Sequence, residues 1–291
     1  MTHTHSNLFQ PHSHHGHRHV QDTDDQAKIL DLDAKVFTEH TNAITAWLPL
    51  QGDTSEIVDL GCGTGAGTFA LLARFSRARV TAVDSSAEHL RRLREKAEEA
   101  GVLDRVRTVR ADLDQRDWPD LGTPDLVWAS ASMHHMAEPD QALRGVHDLL
   151  RPGGLFAVVE LAGLPRFLPE DAPAERPGLE ERCHAAADHG HAGRVPHRGA
   201  DWGPKLLDAG FTLEGEYTLT VNLDGAGDET IGSYALTVLR RLRQSVAKTL
   251  SKADLAALDR LLDTEGPHGL LDREDLMMRT ERTVWAARRE G

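Results

Sequence analysis

Ile57-Val58-Asp59-Leu60-Gly61-Cys62-Gly63-Thr64-Gly65-Ala66-Gly67 decides the fold. The apolar run Ile57 to Leu60 predicts a short buried strand, which ends in the cluster Gly61, Gly63, Gly65 and Gly67. Thr68 to Phe75 then reads as a helix. A strand that breaks into a glycine turn and then a helix makes room for a nucleotide-like ligand, because only glycine lets the main chain approach so closely at positive φ. The helix start adds unpaired N–H groups.

Two details separate the ligand classes. Asp59 sits inside the strand, two residues before the first glycine. A carboxylate there repels a pyrophosphate and attracts a ligand carrying an ammonium. The spacing is also G-x-G-x-G, with Ala66 where the dinucleotide fingerprint has its last glycine. The segment resembles motif I, D-x-G-x-G-x-G, of the class I S-adenosylmethionine (SAM)-dependent methyltransferases. The resemblance implies SAM as cofactor, with Asp59, Gly61, Cys62, Gly63 and Gly65 around it.

The downstream order agrees. Arg79 to Val83 predicts a second strand that ends at Asp84, about 20 residues past the glycine turn. Its two carboxylate oxygens suit a ribose diol, and Ser85 or Ser86 is placed to cap the helix expected over Ala87 to Ala100. Val106 to Val109 predicts a third strand, followed by Asp112 and Leu113. In the resembled family an Asp at this place accepts from the adenine amine and its neighbour packs on the ring; the alternative is a surface turn. Asp125 to Ala129 predicts a fourth strand running into Ser130-Ala131-Ser132-Met133-His134-His135-Met136-Ala137-Glu138-Pro139. That loop, a histidine pair followed by an acidic residue and proline, is similar to the family's post-strand-four loop, and the resemblance implies Ser130 at its start, like Ser85 beside Asp84, as a cofactor contact. Gln141 to Leu150 carries a helical apolar face, Arg151-Pro152-Gly153-Gly154 stops it, and Leu155 to Glu160 predicts strand five. The string L-R-P-G-G-x-F is a further family match.

Strands alternating with helices predict an α/β fold, a doubly wound parallel sheet. The resemblance, which covers about half of the chain, implies a Rossmann-like seven-stranded sheet. Its last strands, Phe211 to Val221 and Thr283 to Arg289, would form an antiparallel hairpin at the edge.

Four segments are expected: a disordered histidine-rich tail over 1–27, a SAM-binding core with an N-terminal helical lid over 28–160, an insertion over 161–200, and the C-terminal strands over 201–291 with inserted helices across 231–264. The lid begins at Ala27 and runs to Leu48, with Phe37 expected in the core and His40 a candidate for the pocket. The insertion and inserted helices read as a cap over the carboxyl edge of the sheet, forming the acceptor pocket and excluding water. Their alternative use is a homodimer interface.

The chain has 291 residues and a formal net charge of −13, which argues against a nonspecific nucleic-acid partner. No apolar run approaches a membrane span and no secretory pattern stands at the start, so a cytoplasmic setting is the default. Of the two cysteines, Cys62 reads as a small residue fitting the turn and not as a nucleophile. Seven of the 17 histidines lie in the first 19 residues. They suit incidental metal affinity, while the group His184, His189, His191 and His197 beside Asp188 reads as a polar substrate-facing loop with a metal site as the alternative, and no catalytic metal is expected.

His134 and His135 are the candidate bases for in-line methyl transfer to a small-molecule acceptor, with Glu160 and His184 in second place. No N/D-P-P-Y tetrapeptide follows strand four; Ser130-Ala131-Ser132-Met133 stands there, which favours a small acceptor over DNA or protein. The competing readings are an NAD(P)-dependent oxidoreductase and a non-catalytic protein that handles metal through its histidine tail.

Overall fold

The computed structural model of the protein describes residues 15–50, 54–191, 195 and 197–291. Two helices come first, α1 (His15–Val36) and α2 (Thr38–Trp47). Then β1 (Glu56–Leu60), α3 (Ala66–Arg74), β2 (Arg79–Asp84), α4 (Ala87–Glu99), β3 (Val106–Arg110), β4 (Leu126–Ser130), α5 (Pro139–Leu149) and β5 (Leu155–Leu161) alternate. After them come α6 (Leu179–His191), α7 (Gly203–Asp208), β6 (Phe211–Asp224), α8 (Glu229–Ser245), α9 (Lys252–Leu261) and β7 (Met277–Arg289).

Among the described residues seven strands form one sheet, ordered β3-β2-β1-β4-β5-β7-β6. β1 to β5 are parallel, and β7 runs antiparallel to both β5 and β6. Helices cover both faces of the central strands, so β1 and β5 read as nearly unbroken apolar runs. β6, at the edge, alternates half-buried or buried positions with exposed ones. After β1 the chain winds out through β2 and β3, then returns to β4 on the other side of β1. The carboxyl ends of β1 and β4 thus flank the switch point, where open α/β sheets bind ligands.

Local sequence explains the helices that flank this crevice. Ser86 caps α4, its hydroxyl accepting from the His89 N–H, and Leu90, Leu93 and Ala97 form the buried stripe. Pro139 stands in the first turn of α5, where no N–H is required, and Ala142, Leu143 and Val146 face the core.

Two expected boundaries are corrected. The strand expected over Thr283 to Arg289 begins at Met277, and the one expected to end at Val221 runs on to Asp224. The last β5–β7 pair is Leu161 with Arg282, while β6 and β7 stay paired out to Asp224 and Met277. The hairpin therefore projects beyond the carboxyl end of β5. Met278, Arg282, Val284 and Ala286 are buried at alternate positions of β7, so a charged residue on the inward face hid the first half of the strand.

That projection carries the cap. Val221 and Met278 pack with Phe167, Leu179, Tyr234, Leu239, Leu258 and Leu261 in a core separate from those on the two faces of the sheet. Arg176 and Arg182 both donate to Asp254 Oδ1, at 2.7 and 2.8 Å, tying the insertion to α9. The segment expected as a lid forms two helices, α1 and α2, and Phe37 between them is buried in the cap core. α1 starts at His15, inside the segment expected to be a disordered tail; the rest of that tail, residues 1–14, lies outside the described residues.

Candidate active site

The glycine turn at the end of β1 is required by contacts as well as by torsion angles. Gly61 has φ +67°, and a Cβ there would lie 2.4 Å from Ser132 Cβ. Ser132 in turn donates its hydroxyl to Leu60 O at 2.9 Å, so the loop after β4 is laid directly on the turn after β1. Gly67 opens a slot for the Trp128 indole, whose Nε1 would lie 2.4 Å from an added Cβ. Gly65 precedes α3 at φ +100° and offers no side-chain cap. In that first turn it is the Asp59 carboxylate that takes a backbone hydrogen bond, from Thr68.

A cavity of about 420 Å³ opens over this turn. Asp59, Gly61, Cys62, Gly63, Asp84, Ser85, Asp112, Leu113 and Ser130 line it, as does His135. Gly65 does not, because it faces Phe69 and Leu93. Asp59 is buried and accepts one side-chain hydrogen bond, from Thr68 Oγ1 at 2.6 Å. Burial, opposed by that bond and reinforced by the Asp84 charge, pushes its carboxyl up to about 7. A buried carboxylate with no cation beside it among the described residues, in the wall of a cavity, fits a ligand ammonium.

Asp84 differs. It accepts from the Gly63 N–H at 2.9 Å, the Ser86 N–H at 2.8 Å and His89 Nδ1 at 3.2 Å. Burial would raise its carboxyl, but the His89 bond, the backbone bonds and the His89 charge outweigh it and hold the group below the usual carboxylate range. Cys62 is held neutral: burial, then the charges of Asp59 and Asp84, push its thiol well up. Asp112 accepts from the Asp114 N–H and Gln115 Nε2, which orients its exposed carboxylate at the cavity rim.

The loop after β4 is organised by Glu160 at the end of β5. Its Oε1 accepts from the N–H groups of Ser132, Met133 and His134 at 3.1, 2.7 and 3.2 Å, and its Oε2 lies 2.5 Å from His134 Nδ1. His134 is only 3% exposed and takes no part in the cavity wall. Of the two candidate bases, His135 lines the cavity and His134 does not; their rings lie 4.2 Å apart, tilted by 40°. His135 is exposed and lines the cavity. Partial desolvation against the protein, then the charge of His134, and further Arg198 and Arg241, push the imidazole down to about 4 against the pull of Glu160. Glu160 itself, a second-place candidate, is buried beneath the loop and not in the cavity wall.

Residues 57–154 match the family model of a methyltransferase domain. This stretch is similar to a methyltransferase domain, the class that motif I resembles. The chain is 37% identical over 135 residues to a trans-aconitate 2-methyltransferase of Azoarcus sp., covering 46% of this chain and 49% of that one. It is 32% identical over 164 residues to a 27-O-demethylrifamycin SV methyltransferase of Amycolatopsis mediterranei, covering 56% of each. The chain thus spans about half the length of the curated relatives it matches. A solved structure from Bacillus halodurans, provisionally described as a methyltransferase, superposes with a TM-score of 0.55 at 19% identity, covering 86% of this chain and 99% of that one. That likeness shows the fold alone.

The cofactor of this domain class is SAM, and the cradle fits it: Asp59 offers an uncompensated carboxylate, and Asp84 and the glycine turn offer polar groups at the same cavity. Several wall residues escaped the sequence reading. His89 joins Asp84 and leaves Nε2 buried without a partner; its signal was only a histidine one turn into α4. Trp128 Nε1 is likewise buried and unpartnered in the wall, where Thr64 faces Asp31. From the lid and the hairpin come Gln26, Leu30, Asp33, Thr41 and Arg282, which no motif marks. His40 is not among the lining residues; Thr41, beside it in sequence, is.

His184 is buried in the cap, 3.7 Å from Glu180, and is not in the cavity wall. Among the described residues no group of three or more His, Cys, Asp and Glu side chains is placed to hold a metal ion. The tail histidines up to His14 lie outside the described residues. No described helix is long and apolar enough to cross a membrane.

Proposed function

We propose that the protein is a SAM-dependent methyltransferase acting on a small-molecule acceptor. One observation carries this reading: the buried, cation-free Asp59 carboxylate shares a cavity with Asp84 at the glycine turn of a methyltransferase domain. The relatives named above act on trans-aconitate and on a demethylrifamycin, which supports a small acceptor. The cap encloses the same end of the sheet, consistent with a water-poor acceptor pocket.

When bound, SAM supplies a methyl carbon activated by a positive sulfur. The chain's residues position both reactants for in-line transfer. Asp59 holds the ammonium end, Asp84 with His89 holds the ribose hydroxyls, and Asp112 with Leu113 borders the adenine. His135 lines the acceptor side. Its imidazole, pushed down to about 4, is neutral at pH 7 and can accept a hydrogen bond or a proton at a ring nitrogen. Glu160 and His134 hold it in place from behind.

Calorimetric titration with SAM and, separately, with NAD tests the reading. We expect one SAM site and no NAD heat. NAD binding without SAM binding would replace it with the oxidoreductase reading, which Asp59 disfavours because its charge would meet a pyrophosphate.

A further inference from the structure

Arg282 is an inward-facing arginine on β7, 6% exposed, and it is the one arginine or lysine among the described residues of the cavity wall. Burying a guanidinium is costly unless its charge and its donors are matched. Its charge is partly matched. Nη2 donates to Asp33 Oδ1 at 2.7 Å, and the guanidinium carbon lies 3.7 Å over the Phe37 ring. Its donors are not. A guanidinium carries five N–H groups. Among the described residues one hydrogen bond is formed, and Nε is buried with no partner. Asp33 is itself shared, since its Oδ1 also accepts from the Tyr234 hydroxyl at 2.8 Å.

Position adds to this. The proposed cofactor residues sit on β1, β2 and β3. Arg282 pairs with Leu161 at the carboxyl end of β5, next to the Glu160–Thr283 pair, and so stands on the acceptor side with His135. Arg198 and Arg241 add positive charge near His135, and Asp188 stands 3.8 Å from Arg198. The cavity thus has carboxylates where the cofactor's ammonium would lie, and its guanidinium, paired with Asp33, where the acceptor would lie. Asp33 already shows that the guanidinium accommodates a carboxylate.

We infer that the acceptor carries an oxyanion, a carboxylate or a phosphate, and that Arg282 is the residue that binds it. This rests on the methyltransferase reading of the same cavity. The neutral His135 fits such an acceptor, since an oxyanion needs no strong base to expose its lone pairs.

The test uses the full chain saturated with S-adenosylhomocysteine, after SAM binding has been measured. Its probes are a panel of aliphatic and aromatic carboxylic acids, each paired with its methyl ester, and phosphate monoesters paired with their parent alcohols. Thermal shift ranks the panel and calorimetry follows the best binder. We expect an anionic member to bind better than its neutral partner, and the pairs separate carboxylate from phosphate. Arg282→Met should weaken that binding by roughly 10- to 150-fold, the range for a lost charged hydrogen bond, and leave SAM affinity unchanged. Asp33→Asn, which removes the competing carboxylate and keeps the guanidinium, should keep or tighten it. A panel in which no anion exceeds its neutral partner overturns the inference. So does an Arg282→Met protein that binds the anion as well as the parent, or that loses SAM and anion affinity equally, which would make Arg282 a lid latch. A loss of anion binding in Asp33→Asn equal to that in Arg282→Met would also make it a latch and overturn the inference. If SAM does not bind the parent chain, the methyltransferase reading fails, and that failure is read separately from the anion result.

Discussion

The two sides of the cavity are built in opposite ways. Over β1, β2 and β3 the wall comes from three short segments that follow one another in the chain, and its charged groups are the carboxylates Asp59, Asp84 and Asp112. Over β4, β5 and β7 it comes from a loop, a lid helix and a late strand, and its groups are His135, Asp33 and Arg282, with Arg282 and Asp33 249 residues apart. On the first side a buried charge waits for a ligand, with Asp59 left beside Thr68 alone. On the second, buried charges are matched across the fold, Glu160 by His134 and three N–H groups, Arg282 by Asp33. The contrast separates a pocket poised for one cation-bearing cofactor from one tuned by distant residues to a particular acceptor.

Asp59→Asn would break the contrast most sharply. The amide keeps a partner for Thr68 but loses the charge, and SAM affinity should fall by roughly 2–5 kcal/mol, as when one partner of a buried charge pair is removed. The unliganded protein should at the same time become more stable. The folded carboxyl is pushed up to about 7 from an ordinary 3.8, so the parent fold loses stability as pH rises through that window, where the unfolded chain ionises and the folded one resists. Calorimetry with SAM and thermal unfolding at pH 7.5 read both effects; an Asn variant that binds SAM normally would remove Asp59 from the site. The same carboxyl sets a pH dependence. SAM affinity should be flat above about pH 7.5 and fall toward tenfold per pH unit below 7, with a proton released on binding that shows as a buffer-dependent heat.

Glu160→Ala sharpens the other side. It strands three backbone donors and the His134 ring, and unfolding stability should drop by about 3 kcal/mol in a urea titration. Turnover should fall further than SAM affinity, since the loop that holds His135 loosens; parallel losses would mean that the loop serves the cofactor instead. Asp84→Ala should weaken SAM by about 1.5–3 kcal/mol through loss of charged hydrogen bonds. His89→Ala is the smallest change, about 0.5–1.5 kcal/mol in SAM affinity, because it removes one supporting bond at 3.2 Å. If His89→Ala proves as damaging as Asp84→Ala, the imidazole contacts the cofactor through Nε2 and is more than a prop.

The cofactor side was legible because close approach of a backbone to a ligand demands glycines at fixed offsets, and the carboxylates follow from where each strand ends. Even there the reasons differed in detail. Gly61 makes room for Ser132 and Gly67 for Trp128, so part of the glycine pattern serves chain packing. Gly65 belongs to the turn and not to the wall. The histidine pair showed where the acceptor loop lies but not which ring faces the cavity. That was decided by Glu160, which reaches back 26 residues to hold His134 underneath. The first half of β7 was hidden by Arg282, whose charge interrupts the alternation of a buried strand.

By itself the sequence determined the order of strands and helices, the glycine cradle, and the carboxylates that face it, because hydrophobic period, turn chemistry and strand ends are properties of contiguous residues. The tertiary structure alone decided that His135 and not His134 faces the cavity, that β7 runs past β5 to carry a cap, and that Asp33 and Phe37 of the lid meet Arg282 of the last strand. Each of these depends on which distant side chain pairs with a buried charge, and the stability of a buried charge is set by its partners in space, not by its neighbours in sequence.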